Sequence, residues 1–183
     1  MKAGYEYLLA YKITVPIYDL TIEFCQKYIN PKSRTKDQME QAARSGTQNI
    51  PEGNRQQSLA AYIKLTGVAR GSLEELLKDY LSYARQHQIP VWPKEKSVRD
   101  IREIREIWDI LKKNHSLPDN PNFPRLPPNL AITVNLLITL INQANFLIDK
   151  LTLSLKQKHT REGGFTENLY QKRLQYKNSH GQF

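Results

Sequence analysis

The sequence has few cysteines and histidines, the residues that secreted proteins use for disulfides and metalloenzymes use for metal sites. Cys25 is the single cysteine among 183 residues, so no internal disulfide can form and we expect a reducing, cytoplasmic compartment. The N-terminal residues lack a long apolar run followed by a small-residue cleavage site, so no secretion signal is predicted. Glycine is scarce and strand-type alternation is hard to find, which favours an all-α fold.

Signatures of common catalytic centres are also missing. The histidines lie far apart, and neither His-x-x-x-His nor Cys-x-x-Cys occurs, so we expect no metal and no cofactor. The sequence also lacks a glycine-rich phosphate loop that ends in Gly-Lys-Ser/Thr. We therefore expect a protein that is not an enzyme and has no small-molecule substrate.

One enzyme hypothesis stays open. Arg173 and His180 are separated by six residues, a spacing that resembles the motif of helical nucleases in the higher eukaryote and prokaryote nucleotide-binding superfamily. In those nucleases the motif lies on a core helix, whereas here it lies in a polar C-terminal stretch. A helical ribonuclease therefore remains an alternative, with His180 as the residue that tests it.

Positive charge is what the sequence has in excess. Lysine and arginine number 27 against 18 acidic residues, a net charge of +9 that favours polyanionic partners, above all nucleic acid. Residues 150–183 hold seven basic and two acidic residues, interleaved with aromatic side chains that could stack on bases. The predicted nucleic-acid-binding residues are Lys150, Lys156, Lys158, Arg161, Lys172, Arg173, Tyr170 and Tyr176. The alternative is a frayed tail that packs Phe165 and Leu169 on the rest of the protein.

Apolar residues at helical spacing predict an up-and-down antiparallel four-helix bundle. Pro51 should end or kink the second helix, and a proline-rich strap over 116–128 should precede the last one. The bundle is placed in residues 1–158, and a basic C-terminal suffix, a short helix or tail, in residues 159–183. The predicted helices span about 14–29, 35–50, 57–86 and 130–155, with an extra helix over 98–113.

The helix predicted over 130–155 is apolar on nearly every side. Its length would suit a membrane span, but Asn135, Asn142 and Asp149 would be costly in lipid, so no membrane is expected. We expect instead that a second subunit covers the outer side of this helix. Because the three polar residues recur every seven positions, they suit polar contacts in a helical interface.

The stretch "QAARSGTQNIPEGNRQ", residues 41–56, places small and polar residues where a helix should carry its apolar stripe. A matching patch in the next helix predicts a close helix–helix contact at the centre of the bundle, in which Asn49 bonds Ser72 and Arg44 pairs with Glu75. The predicted polar layer consists of Arg44, Ser45, Asn49, Glu52, Ser72 and Glu75. The alternative is a ligand or RNA site in which Arg44 and Gln48 face outward.

The motifs "AARSGTQNIPEG" and "ARGSLEEL" resemble those of the bacterial 23S rRNA intervening-sequence proteins. The resemblance covers roughly residues 5–155, and "GGFTENLYQKR" resembles a suffix segment found in one branch of that family. The motif positions are Arg44, Ser45, Asn49, Ile50, Glu52, Gly53, Ala69, Gly71, Ser72, Glu75 and Leu76.

The resemblance implies an up-and-down bundle, a homo-oligomer that is commonly a pentameric ring, and association with ribosomal-RNA insertions. Related accessory proteins of diversity-generating retroelements are basic pentamers that bind nucleic acid and a reverse transcriptase. This chain differs from the family pattern at Pro51 and in the lengthened connection before the last helix.

The expected function is therefore that of a non-enzymatic, self-associating bundle that binds RNA or a nucleoprotein partner. The alternative is a protein-interaction scaffold or antitoxin-like partner whose basic tail binds an acidic protein without nucleic acid.

Overall fold

A computed structural model describes residues 2–118 and 121–180, and over these residues the chain is helical with no strand. This confirms the predicted all-α class. A 3₁₀ turn over Gly4–Tyr7 comes first. The helices are α1 (Leu9–Lys12), α2 (Thr14–Tyr28), α3 (Arg34–Asn54), α4 (Leu59–Gln86), α5 (Lys94–Asp100), α6 (Arg102–Lys113), α7 (Leu130–Glu162) and α8 (Phe165–His180).

Four of these helices form an up-and-down bundle. Helix α2 packs against α3, α3 against α4, α4 against α7, and α7 against α2. The α4–α7 pair is antiparallel, because Thr66 bonds Thr152 whereas Glu74, two turns later, meets Asn145. The α2–α3 and α3–α4 connections are short, as in a simple up-and-down bundle, whereas α5, α6 and the strap lie between α4 and α7.

An aromatic cluster lies inside the bundle, where α2 meets α4. The Phe24 ring packs edge-on against the rings of Tyr80 and Tyr83, with each pair of centroids 5.0 Å apart. The Tyr80 hydroxyl donates to Thr21 Oγ1 at 3.1 Å, so this buried polar group is satisfied. Burial raises the pKa of the neighbouring Cys25 thiol to about 12, as expected for an unreactive core thiol.

Helix α3 does not end where the sequence predicted. It continues through Pro51 to Asn54, four residues beyond Ile50. Proline removes one backbone donor and would break an isolated helix. Here Ile50 and Pro51 are both buried against the neighbouring helices, and this packing offsets the lost hydrogen bond.

The single helix predicted over 98–113 is two helices that meet at an extended Ile101. The break lets Ile101 and Ile104 both point into the core. A buried lysine fixes the far end of α6, because Lys12 Nζ donates to the carbonyls of Leu111 at 2.7 Å and Asn114 at 2.9 Å. A cation at a helix C-terminus also complements the helix dipole.

The described residues of the proline-rich strap contact the 3₁₀ turn near one end and α2 near the other. The Leu117 amide donates to the Glu6 carbonyl at 3.2 Å, and the Leu126 amide donates to Glu23 Oε2 at 3.3 Å. Both leucine side chains are buried. The described part of the strap therefore adds two leucines to the buried core.

Helix α7 is covered largely by its own chain over residues 133–141, which are all buried. Asn135 accepts from the Trp92 amide at 2.7 Å and donates to the Pro90 carbonyl at 3.0 Å. Asp149 pairs with Arg70 at 3.3 Å. Asn135 is therefore buried inside this chain and does not belong to the predicted stripe of polar contacts between subunits. The interface role of Asn142 and Asp149, which are exposed, stays a prediction.

The segment Leu130–His180 contains a stretch long and apolar enough to cross a membrane, judged by length and composition alone. Of its most apolar window, 67% is buried inside the structure. A core helix of a water-soluble bundle passes the same test, so this stretch is weak evidence for a span.

Candidate nucleic-acid interface

Two polar regions were singled out from the sequence, and the first lies between α3 and α4. Ser45 Oγ and Ser72 Oγ are 2.8 Å apart, and Asn49 Nδ2 donates to Ser45 Oγ at 3.0 Å. We call these three residues, with Gly46 beside them, the α3–α4 seam. Their side chains are half-buried, so the seam lies at the surface edge of the helix pair.

The structure corrects the details predicted for this polar layer. Asn49 does not bond Ser72 directly, because Ser45 stands between them and bonds both. Arg44, Glu52 and Glu75 are exposed, and among the described residues no ion pair joins Arg44 to Glu75. The layer therefore lies along the solvent-facing side of α3 and α4 instead of at the bundle centre.

Small residues in the seam allow the two helices to approach closely. A Cβ atom added at Gly46 would lie 2.6 Å from Leu73 Cδ2 and 2.7 Å from Leu73 Cγ. Such distances are far inside van der Waals contact, so Leu73 fills the space that a side chain at position 46 would need. The close packing of α3 against α4 therefore explains why glycine stands at position 46 of the first motif.

A polar cleft of about 480 Å³ opens beside the seam. Glu75 and Asp79 line it, and no cation in the described part of the chain forms an ion pair with either. Burial raises the pKa of Asp79, and the nearby Glu75 raises it further. A cleft with two carboxylates repels phosphate, which disfavours the alternative of an RNA site here.

The second region is the C-terminal part of the chain, residues 150–180, which we call the basic segment. Helix α7 runs on to Glu162, so Lys156, Lys158 and Arg161 lie on its last turns and the predicted 158/159 boundary falls inside the helix. Gly163, with φ of 77°, ends α7, and α8 carries Lys172 and Arg173. All the predicted phosphate-contacting side chains are exposed.

Most cations of the basic segment have no acidic partner. Glu162 pairs with Lys158 at 3.8 Å and with Arg161 at 3.2 Å. Within the described residues no carboxylate pairs with Lys156, Lys172 or Arg173. Uncompensated cations on a surface are free to contact an external polyanion.

Helix α8 does not pack on the bundle in the way that the alternative for the tail required. None of its residues is buried, and Phe165 and Leu169 are 42% and 51% exposed. The two tyrosines predicted to stack on bases, Tyr170 and Tyr176, are 60% and 65% exposed. Aromatic and cationic side chains therefore share one accessible helix.

The pair behind the ribonuclease alternative also lies on α8. Arg173 and His180 are both exposed and lie about two helical turns apart. The His180 ring stacks on Tyr176 at a centroid distance of 4.4 Å. Among the described residues, no group of three or more His, Cys, Asp or Glu side chains is placed to hold a metal ion.

Gln57 and Leu59, at the end of the turn between α3 and α4, were not among the residues predicted to form a site. In the structure this turn, with Gln57 and Leu59, lies beside the start of α8 and forms a cleft with it. The residues are about 100 positions apart in the chain, so no local pattern could predict the contact. Lys177, which we counted in the charge but not among the site residues, is also exposed on α8.

Comparison with protein-family models assigns the chain to a family. No curated protein and no solved structure matches the chain. A family model of the 23S rRNA-intervening sequence protein matches residues 6–113, more than half of the chain, and the match includes both motifs. Helices α7 and α8 lie beyond the matched range, so the suffix resemblance stays a prediction. The chain therefore belongs to the 23S rRNA-intervening sequence protein family.

Proposed function

We propose that this protein is a non-enzymatic RNA-binding member of its family, which acts in the cytoplasm on ribosomal RNA through the basic segment. The observation that carries the proposal is the set of exposed, unpaired cations interleaved with exposed aromatic rings on α7 and α8. Phosphate neutralisation supplies affinity without sequence preference, and stacking on aromatic rings favours unpaired bases. The name of the family refers to an intervening sequence of 23S ribosomal RNA, which supports ribosomal RNA as the proposed ligand.

The proposal includes self-association, up to a pentamer. An apolar groove of about 640 Å³ lies between α4, α6 and α7, and both tryptophans, Trp92 and Trp108, line it. Phe146, at the groove, and Leu153, farther along α7, are 60% and 50% exposed. Exposed apolar area of this kind is typical of a protein–protein contact. Tryptophan emission and light-scattering mass, followed against concentration at high salt, test this part.

RNA binding is tested by salt dependence with matched charge variants. The Lys172→Ala/Arg173→Ala double variant removes two cations from the basic segment. The Arg105→Ala/Lys113→Ala variant removes two exposed cations from α6. For single-stranded RNA, each lost phosphate contact flattens the plot of log affinity against log salt by about 0.7. We expect this plot to flatten by roughly 1.4 for the first variant and to stay unchanged for the second.

Three outcomes would contradict the proposal. Equal effects of the two charge variants would mean that net charge, and not the basic segment, attracts RNA. Binding to an acidic protein with no binding to RNA would favour the interaction-scaffold alternative. Cleavage of the RNA that is lost in His180→Ala would favour the ribonuclease alternative.

A further inference from the structure

The cleft between the α3–α4 turn and the start of α8 has the residues of a base-binding pocket. Its volume is about 480 Å³, within the range of about 300 to 1,000 Å³ that small-molecule sites occupy. Gln57 lines it from the turn and Leu59 from the first residue of α4, while Phe165, Asn168 and Lys172 line it from α8. Both halves are held by one chain, so the cleft needs no second subunit.

The apolar part of the cleft suits the face of a planar base. Phe165 is the first residue of α8, and its side chain is 42% exposed. The start of α8 is fixed, because the Gly164 amide donates to Glu167 Oε2 at 2.7 Å and the Asn168 amide donates to the Gly164 carbonyl at 3.0 Å. The ring of Phe165 is therefore presented from an ordered helical turn, beside the aliphatic side chain of Leu59.

The polar part of the cleft suits the edge of a base. Primary amides carry two donors and one acceptor oxygen, and they pair with the hydrogen-bonding edges of nucleobases. Asn168 Nδ2 donates to the Glu162 carbonyl at 3.2 Å, which fixes the amide. The Gln57 side chain has no hydrogen bond within the described residues, so its amide is available to a ligand.

The charges at the cleft favour an anionic ligand. Glu162 lines it, but Lys158 and Arg161 neutralise this carboxylate. Lys172 also lines the cleft and pairs with no acid in the described part of the chain. A ligand with a phosphate next to a planar ring would thus meet a cation, an aromatic face and two amides.

We propose that this cleft is a subsite for one unstacked nucleobase of a single-stranded RNA. Phe165 stacks on the base, Gln57 and Asn168 bond its edge, and Lys172 contacts the adjacent phosphate. The proposal rests on RNA binding by the basic segment and adds a preference for single strands over duplexes, because a paired base cannot enter the cleft.

The test uses the full-length protein and a short single-stranded RNA with one 2-aminopurine, whose emission falls when it stacks on an aromatic ring. An otherwise identical strand carries an abasic residue at that position. We expect wild-type protein to quench the emission and to bind the base-bearing strand about 10-fold more tightly than the abasic one. Phe165→Ala should remove this difference, and Phe165→Tyr should keep it.

Leu169→Ala is the matched control. Leu169 lies one turn further along α8, is exposed to a similar degree and does not line the cleft. We expect it to leave the affinity ratio of the two strands unchanged. Gln57→Ala should lower that ratio by a smaller factor than Phe165→Ala.

The possible failures are distinguishable. If wild-type protein binds both strands equally, or if Leu169→Ala acts like Phe165→Ala, the base subsite is excluded while polyanion binding survives. If neither strand binds, the proposed RNA function fails together with the subsite. Displacement of the strand by AMP alone, with the same dependence on Phe165, would reassign the cleft to a free nucleotide.

Discussion

The α3–α4 seam and the basic segment are both rich in polar side chains, yet they use them in opposite ways. In the seam, Ser45 bonds Ser72 at 2.8 Å and accepts from Asn49 at 3.0 Å. In the basic segment, the cations of α8 have no acidic partner within the described residues, and no α8 residue is buried. Polar groups that bond one another inside the protein stabilise the fold, whereas polar groups without a partner are available to a ligand.

The two regions also differ in charge, although they belong to one strongly basic chain. Glu75 and Asp79 make the cleft beside the seam acidic, while Lys172 and Arg173 make α8 cationic. The difference shows that a net charge of +9 does not describe every surface of the molecule. A polyanion should therefore bind one region and avoid the other.

Removal of α8 should have the largest effect, because it should weaken RNA binding and leave the stability of the bundle unchanged. A chain that ends at Gly163 loses Lys172, Arg173 and Lys177. We expect the plot of log RNA affinity against log salt to flatten by about 2, at roughly 0.7 per lost contact. The free energy of unfolding should stay unchanged, because α8 buries no side chain in the bundle. Urea unfolding and RNA titrations at several salt concentrations measure both, and a lower urea midpoint would mean that α8 packs on the bundle.

Gly46→Leu should damage the seam without touching the basic segment. The new side chain would start 2.6 Å from Leu73 Cδ2, and overpacking of this kind costs about 3 kcal/mol. The matched control is Gly71→Leu, on the facing helix, where an added Cβ meets nothing within 4 Å. We expect the control to keep or raise stability by up to about 1 kcal/mol, because glycine disfavours a helix. Similar urea midpoints for the two variants would contradict the close approach.

A double-mutant cycle should measure the hydrogen bond across the seam. Ser45→Ala and Ser72→Ala each remove one end of the 2.8 Å contact. Each should lower the free energy of unfolding by about 1 kcal/mol, and the double variant should lose less than the sum of the two. Strict additivity in urea unfolding would show that the two hydroxyls do not interact. RNA affinity should be the same in all four proteins.

Cys25, a buried core residue, should have the smallest effect: it should make the free energy of unfolding depend slightly on pH. Burial raises the pKa of its thiol from 9.0 to about 12. As the pH approaches and passes 9, the unfolded chain releases a proton that the native state keeps, so stability falls as pH rises. The loss at pH 9 is about 0.4 kcal/mol, when half of the unfolded thiols are ionised. Urea midpoints at pH 7 and pH 9, compared between wild type and Cys25→Ala, measure the contribution of this thiol. An equal pH dependence in both proteins would contradict the raised thiol pKa.

Some predictions were wrong because a local signal was overruled by packing. Pro51 predicts that the helix ends or kinks after residue 50, yet α3 continues to Asn54 with Ile50 and Pro51 both buried. Asn135 suits an interface by its spacing, yet it bonds the Trp92 amide and the Pro90 carbonyl in a distant loop. In both cases the deciding contact joins residues that no window of sequence brings together.

The sequence by itself determined the all-α class, the motif pair that marks the family and the concentration of positive charge near the end of the chain. These properties depend on periodicity, spacing and composition, which are local or additive. The tertiary structure decided which polar groups are satisfied, how the strap and α6 cover the core, and that Gln57 and Phe165 line one cleft. These properties depend on contacts between residues far apart in the chain, which form only when the helices pack.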